Sequence, residues 1–187
     1  FRWLMAKRAV SRAHGEDASL GLASLAEGLT SVWQEHPGLQ LEFLQTLMHG
    51  GSLNDLFKRF AEVAALLEQR GLRWQRRSTA LPTAETEVWL GDSMGEMPFY
   101  FGAASVCLLG GSFEPLGGQN LIEACACACP VVMGPHTFNF AQAAQLALQD
   151  GAAVRVQDMA QAVNTAYQLA MDPEACQQKS ALATEFA

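Results

Sequence analysis

The sequence predicts an α/β protein, a Rossmann-like parallel sheet flanked by helices in a single domain. Three observations carry that reading. Short apolar runs alternate with helical stripes through the second half of the chain, glycine-rich turns separate them, and one run, residues 105–109, is continuously apolar rather than alternating. A continuous run fits a strand covered on both faces, and repeated strand-loop-helix units of this size indicate parallel strands joined by helical crossovers. The length of 187 residues sets the domain count at one. A domain of that size removes roughly 70% of its unfolded surface from water, so a real core is expected.

The elements follow in order. Leu22, Leu25, Leu29, Val32 and Trp33 recur at helical spacing and predict a helix over 18–35, stopped by the breakers His36-Pro37-Gly38. Leu39, Leu41 and Phe43 alternate as in a short strand. Ser52 is a plausible N-cap for the stripe Leu53, Leu56, Phe57, Phe60, Val63, Ala64 and Leu67, which ends at Gly71. A strand over 87–90 leads through the turn Gly91-Asp92 to a helix over 95–104, and then to the strand 105–109. Gly110-Gly111-Ser112 ends that strand, and Gly117-Gly118 is expected to open a helix running to Ala128. Strands over 131–133 and 153–156 enclose a helix over 138–149. Met159, Val163, Ala166 and Ala170 stripe a last clear helix before Asp172-Pro173.

Composition excludes several classes. Half the residues are apolar and 17% are charged, unlike a disordered tail, a collagen repeat or a coiled coil. A net charge of −7 argues against a nucleic-acid partner. The five cysteines are odd in number and three crowd at Cys125, Cys127 and Cys129, which suggests a reducing compartment rather than a disulfide framework. The longest apolar stretch, 124–134, contains Pro130 and is too short to span a membrane. Lys7, Arg8, Arg12 and His14 interrupt the start in a way unlike a signal peptide.

Open parallel sheets take ligands beyond the carboxyl ends of their strands, where loops lead into helix N-termini that favour anions. Two loops have this form. In Gly91-Asp92-Ser93-Met94-Gly95-Glu96-Met97 a glycine permits a tight turn and backbone amides are expected to face a phosphate; the competing reading is a helix start capped by Asp92 or Ser93. In Gly117-Gly118-Gln119-Asn120 the paired glycines allow close approach to the backbone, and Glu123 shares a helix face with Asn120. A carboxylate there suits the two hydroxyls of a ribose; the competing reading is a capping box between Asn120 and Glu123. With the second diglycine, Gly110-Gly111, the two loops suggest a nucleotide or sugar-nucleotide pocket. His136, after Gly134-Pro135, is a candidate ligand-facing or turn histidine. The cysteine trio reads as small core residues, with no four-ligand metal set expected. Arg70, Arg73, Arg76 and Arg77 are candidates to attract an anionic partner or lipid surface, the competing reading being that they merely solvate an edge, and the four tryptophans give no sign of a stacking array.

Arg76-Arg77-Ser78, Gly91-Asp92-Ser93-Met94-Gly95-Glu96-Met97, Phe101-Gly102-Ala103-Ala104, Gly110-Gly111-Ser112, Gly117-Gly118-Gln119-Asn120 with Glu123, and Met133-Gly134-Pro135-His136-Thr137-Phe138-Asn139-Phe140 together resemble the C-terminal half of bacterial 3-deoxy-D-manno-octulosonic acid (Kdo) transferases, over about residues 73–171. The resemblance implies a GT-B glycosyltransferase, with CMP-Kdo as donor and a lipid A precursor as acceptor at the cytoplasmic face of the bacterial inner membrane, in lipopolysaccharide biosynthesis. It implies that Ser93, Met94, Gly95 and Glu96 meet the CMP phosphate and sugar region through loop amides and that Asn120 and Glu123 meet the nucleotide, Glu123 at the ribose. Gly110, Gly111, Gly117, Gly118 and His136 are further donor-side candidates, and no metal or other cofactor is expected. The catalytic carboxylate, acceptor surface and membrane anchor of the family belong to an N-terminal domain that the 187 residues are not expected to contain, so the fragment by itself is expected to be soluble and inactive, with both ends truncated. Two segments depart from the family. Only Ser11, Gly15 and Glu16 match its Ser-Thr-His-x-Gly-Glu motif, and residues 45–57 lack its Pro-Arg-His-Pro-x-Arg-Phe motif, whose first arginine faces the donor. Two other readings stay open: a degenerate or truncated GT-B module that binds little nucleotide, and a GT-B enzyme with a UDP-sugar donor.

Overall fold

The computed structural model describes residues 53–93 and 95–187, with side chains from residue 60. The helix expected over 18–35, the strand at Leu39 to Phe43, the cap at Ser52, the departures at Ser11, Gly15 and Glu16, and Met94 lie outside the described residues.

The expected stripe forms α1, Leu53–Gln69, with Phe60, Ala64 and Leu67 buried at helical spacing. It ends where Gly71 turns left-handed at φ 65° and the Leu72 amide reaches back to the Leu67 carbonyl, 3.1 Å away. Strand β1, Trp74–Arg76, pairs in parallel with β2, Val88–Leu90, and the continuation of β1 stays in register, the Arg77 amide donating to the Leu90 carbonyl at 2.8 Å. Strand β1 carried no alternation and was legible only as an arginine cluster. Helix α2, Met97–Ala103, then leads to β3, Cys107–Leu108. This strand is shorter than the expected 105–109 and its two residues are half-buried, the full burial falling instead on the flanking Val106 and Leu109.

Helix α3 spans Ile122–Ala126, later and shorter than the helix expected from Gly117-Gly118 to Ala128. Both glycines adopt positive φ, 85° and 75°, which takes them out of any helix and makes them a turn. Strand β4, Val131–Met133, is wholly buried and pairs in parallel with β3 on one side and with β5, Ala153–Arg155, on the other. A short 3₁₀ turn, Phe138–Phe140, and α4, Ala141–Gln149, cross between β4 and β5. Helix α5, Met159–Met171, starts on Asp158, whose carboxylate accepts from the Gln161 amide. Asp172 ends α5 and caps α6, Pro173–Phe186, with Pro173 in the first turn, where its missing N–H costs nothing.

The sheets number two and three parallel strands, ordered β1-β2 and β3-β4-β5. Alternate residues of β4 explain the layering. Val131 and Met133 join Leu121, Cys125, Ala144, Ala147 and Ala183 in one core, beneath α3, α4 and α6. Val132 points the other way, to Val106, Val156 and Ala162, beneath α5. A strand buried on both faces is therefore flanked by helices on each side, the Rossmann-like arrangement that composition and periodicity predict. Among the described residues no helix is long and apolar enough to cross a membrane.

Candidate functional site

Because the strands of each sheet run parallel, the loops after β2, β3 and β4 leave their sheets from carboxyl ends, where such folds bind ligands. The first loop, residues 91–96, is fastened to the segment after β1. The Ser78 amide and hydroxyl both donate to the Asp92 carboxylate, at 2.8 and 2.7 Å, and Arg76 lies 3.6 Å from it. Arg77 Nη2 donates to Glu96 Oε1 at 2.6 Å, and the Ser93 hydroxyl donates to Glu96 Oε2. Ser93 Oγ also lies 2.7 Å from the Tyr100 hydroxyl. Since the single Ser93 hydrogen goes to Glu96, the Tyr100 O–H is the donor in that contact. Burial raises the Tyr100 pKa and the nearby Glu96 charge adds to the rise, outweighing the Ser93 hydrogen bond.

The N-cap of α2 is Glu96, and no side chain caps it. The alternative in which Asp92 or Ser93 caps this helix is therefore excluded, because both side chains are engaged elsewhere. Gly95 takes φ 78°, a left-handed turn that aims the chain into α2. Above the loop, the Arg77 guanidinium sits 5.7 Å from the Trp89 ring centroid and 5.6 Å from that of Phe99, and Trp89, Phe99 and Tyr100 contact one another edge-on or tilted. Trp89 anchors an aromatic cluster with residues ten and eleven positions downstream, a grouping of one tryptophan with a phenylalanine and a tyrosine that the sequence did not signal. The arginine cluster is corrected here. Arg73 pairs with Glu87, Arg76 with Asp92 and Arg77 with Glu96, so these three serve specific carboxylates rather than a bare edge.

The second loop contradicts one expectation about amides. The Gly118 and Gln119 N–H groups donate to the Gly111 and Gly110 carbonyls, at 3.0 and 3.1 Å, so the two diglycine segments hold each other and those two amides do not face a ligand. The Asn120 side chain accepts from the Ile122 amide at 3.0 Å and donates to Glu123 Oε1 at 3.1 Å. This is an Asn-centred turn in place of the reciprocal capping box, and it leaves Glu123 Oε2 on an exposed helix start.

The third loop is pinned from both sides. The buried Ser112 hydroxyl donates to the Leu109 carbonyl at 2.6 Å and accepts from the Gly134 amide at 2.8 Å, while the Ser112 carbonyl accepts from the His136 amide at 2.9 Å. Arg155, at the end of β5, donates to the Thr137 hydroxyl at 2.9 Å. The Asn139 amide and side chain donate to the Gly117 and Leu116 carbonyls, at 3.1 and 2.9 Å. His136 is thereby held, half-buried, beside the Gly118 turn, where a Cβ on Gly118 would lie 3.4 Å from the His136 carbonyl. Ser112, Tyr100, Asn139 and Arg155 were not legible as site residues, since their partners lie 7 to 23 positions away and follow no helical or strand period.

All five cysteines are free; Cys125 and Cys129 sit in the core, as expected of small core residues. Among the described residues no group of three or more His, Cys, Asp and Glu is placed to hold a metal ion.

The fold and its carboxyl-end loops define a parallel α/β domain of the GT-B type. The chain is 52% identical over 118 residues to 3-deoxy-D-manno-octulosonic acid transferase of Bordetella pertussis, a match covering 62% of this chain and 28% of that protein. It is 38% identical over 110 residues to the enzyme of the same name in Haemophilus influenzae, covering 58% and 26%. Among solved structures it matches the C-terminal CMP-Kdo binding domain of WaaA from Acinetobacter baumannii, with a TM-score of 0.65 and 28% identity over 88% of this chain and 97% of that one. No family model matches. The resemblance to the Kdo transferases thus holds in sequence and in fold, and the chain spans about a quarter of the length of these curated relatives.

Proposed function

We propose that this chain is the CMP-Kdo-binding half of a Kdo transferase, a glycosyltransferase that transfers Kdo to a lipid A precursor in lipopolysaccharide biosynthesis. The observation that supports it most is the coincidence of two things: three loops that leave parallel strands at their carboxyl ends, and a match that covers 97% of a CMP-Kdo binding domain. In this reading the residue 93–96 segment receives the phosphate and sugar region of the donor. The first turn of α2, whose positive end carries no side-chain cap, favours the anion there. Glu123, exposed at the start of α3 with one oxygen held by Asn120, keeps the other for the ribose hydroxyls. Gly110, Gly111, Gly117 and Gly118 shape the floor between, and His136 lines its edge. The departing CMP phosphate needs no cation if oriented backbone dipoles and arginines stabilise it. The acceptor, the catalytic carboxylate and the inner-membrane surface belong in this reading to the further domain of the full-length protein.

Calorimetric and NMR titration of the purified chain with CMP and with UMP tests the proposal. CMP-dependent shifts at Ser93, Gly95, Glu96 and Glu123, with weaker response to UMP, are expected. Absent CMP response would leave a fold without this ligand, as in a degenerate module, and preference for UMP would point to a UDP-sugar donor.

A further inference from the structure

The loop assigned to an anionic donor carries two carboxylates, Asp92 and Glu96, and an unpaired carboxylate beside a phosphate opposes it. The structure resolves this conflict in a way the sequence did not announce. Two consecutive arginines at the end of β1 each answer one of those acids: Arg76 lies 3.6 Å from Asp92 and Arg77 lies 2.6 Å from Glu96. The formal charge of the loop is thereby cancelled before any ligand arrives. The Glu96 pairing is the closer one and belongs to a relay, in which the Tyr100 hydroxyl donates to Ser93 Oγ, Ser93 donates to Glu96 Oε2 and Arg77 donates to Glu96 Oε1. Each oxygen of Glu96 therefore already accepts from a protein donor, and the charge of its carboxylate is answered by Arg77. The Arg77 guanidinium also lies against both the Trp89 and Phe99 rings, which touch each other edge-on, and this restrains the charge.

Resting on the donor reading above, we propose that Arg77 is a positioning residue that neutralises Glu96 and fixes its side chain against Ser93, so that an anion meets no uncompensated charge there, while Glu96 does not meet the ligand through its carboxylate. The role is electrostatic, so its loss must weigh on charged ligands and spare neutral ones. A carboxylate left uncompensated about 4 Å from a phosphate costs from about fivefold in affinity at the dielectric of bulk water to about a thousandfold at the effective dielectric of a protein surface, and the part-exposed Glu96 belongs near the lower end of that range.

The test measures CMP and cytidine affinities of the 187-residue chain and of Arg77→Gln, Arg77→Lys, Glu96→Gln and the double variant Arg77→Gln/Glu96→Gln, with melting temperature recorded for each. Arg77→Gln should lose about tenfold for CMP with cytidine unchanged, Arg77→Lys should stay within about twofold of the parent for both, and the double variant should regain most of the lost CMP affinity. Glu96→Gln alone should bind CMP at least as tightly as the parent. If Arg77→Gln melts as an unfolded chain, the Arg77→Lys and Glu96→Gln pair still decides. Weaker CMP binding by Glu96→Gln overturns the proposal, since it would mean the carboxylate itself meets the ligand. So does an equal loss of CMP and cytidine in a folded Arg77→Gln, which marks a merely structural role, or a double variant as weak as Arg77→Gln, which marks direct contact between Arg77 and phosphate. A parent chain that binds no CMP overturns the donor reading and this inference with it, whereas a parent that binds and a folded Arg77→Gln that binds equally well overturns only the inference.

Discussion

Glu123 and Gly134 show how differently single residues serve the site. Glu123 is exposed and carries no packing; its Oε1 accepts from Asn120 and its second oxygen faces solvent at the start of α3. Replacing it by Gln keeps the shape and removes the charge. Glu123→Gln is expected to weaken CMP binding by about 1 to 3 kcal/mol with an unchanged melting temperature, and calorimetry alongside a thermal melt reads both. Unchanged affinity in a normally folded variant rejects the ribose role. Gly134 is the reverse case. A Cβ there would run into the Ser112 carbonyl and lie 2.8 Å from the Phe113 ring, with backbone rather than a flexible side chain in the way. Gly134→Ala must push the third loop off Ser112 and break the bond from the Gly134 amide to the Ser112 hydroxyl. A loss of about 2 to 4 kcal/mol in urea unfolding is expected, and a near-neutral change would show that the two loops are not locked together.

Elements were legible where packing follows period and illegible where partners come from far along the chain. The α1 stripe predicted from spacing places Phe60, Ala64 and Leu67 in the core, and Phe60 packs with Leu90, Tyr100 and Val131 in one cluster. Phe60→Ala should therefore cost about 3 to 5 kcal/mol, seen as a lower denaturant midpoint; a near-neutral result would mean α1 is not anchored on the sheets. Strand β4 was equally readable, because a strand covered on both faces is apolar at every position. Strand β1 was not, since Trp74-Gln75-Arg76 has neither alternation nor a continuous apolar run, and its residues are half-buried. The start of α3 slipped by several residues for a stated reason: Gly117-Gly118 read as a helix opening, yet left-handed φ at both makes them a turn against the His136 segment. In the candidate site the positions of Ser93, Glu96, Asn120 and Glu123 followed from strand-loop-helix order. The arginines that answer the acids and the Ser112 hub did not, since they are joined by tertiary contacts 14 to 22 residues apart.

At the scale of the whole molecule the thiols report the fold through pH. Of the three crowded cysteines, Cys125 and Cys129 are fully buried between layers, as small core residues should be, and Cys127 is half-buried. Burial pushes the Cys125 thiol up to about 11 and the Cys107 thiol up to about 12, with Cys129 raised further in the same direction by burial and by its thiol neighbours. A thiol ordinarily ionises near 8.5 to 9. In the window above that value and below the folded value, the unfolded chain has lost the proton while the native state keeps it, so the native state binds more protons and stability must fall as pH rises. Below pH 8 both states are protonated and these thiols impose no pH dependence. Each fully shifted thiol contributes a slope of about 1.4 kcal/mol per pH unit, so Cys125 and Cys129 together should lower the unfolding free energy by a few kcal/mol between pH 9 and pH 11, ahead of any tyrosine effect. Urea midpoints measured across that range under reducing conditions check the slope. Cys125→Ala should flatten it by about one proton's worth while lowering stability at pH 7 only through the lost packing. A midpoint that stays level to pH 11 would mean these sulfurs reach water in the native state, and that the layer between α3 and β4 is looser than the packing describes.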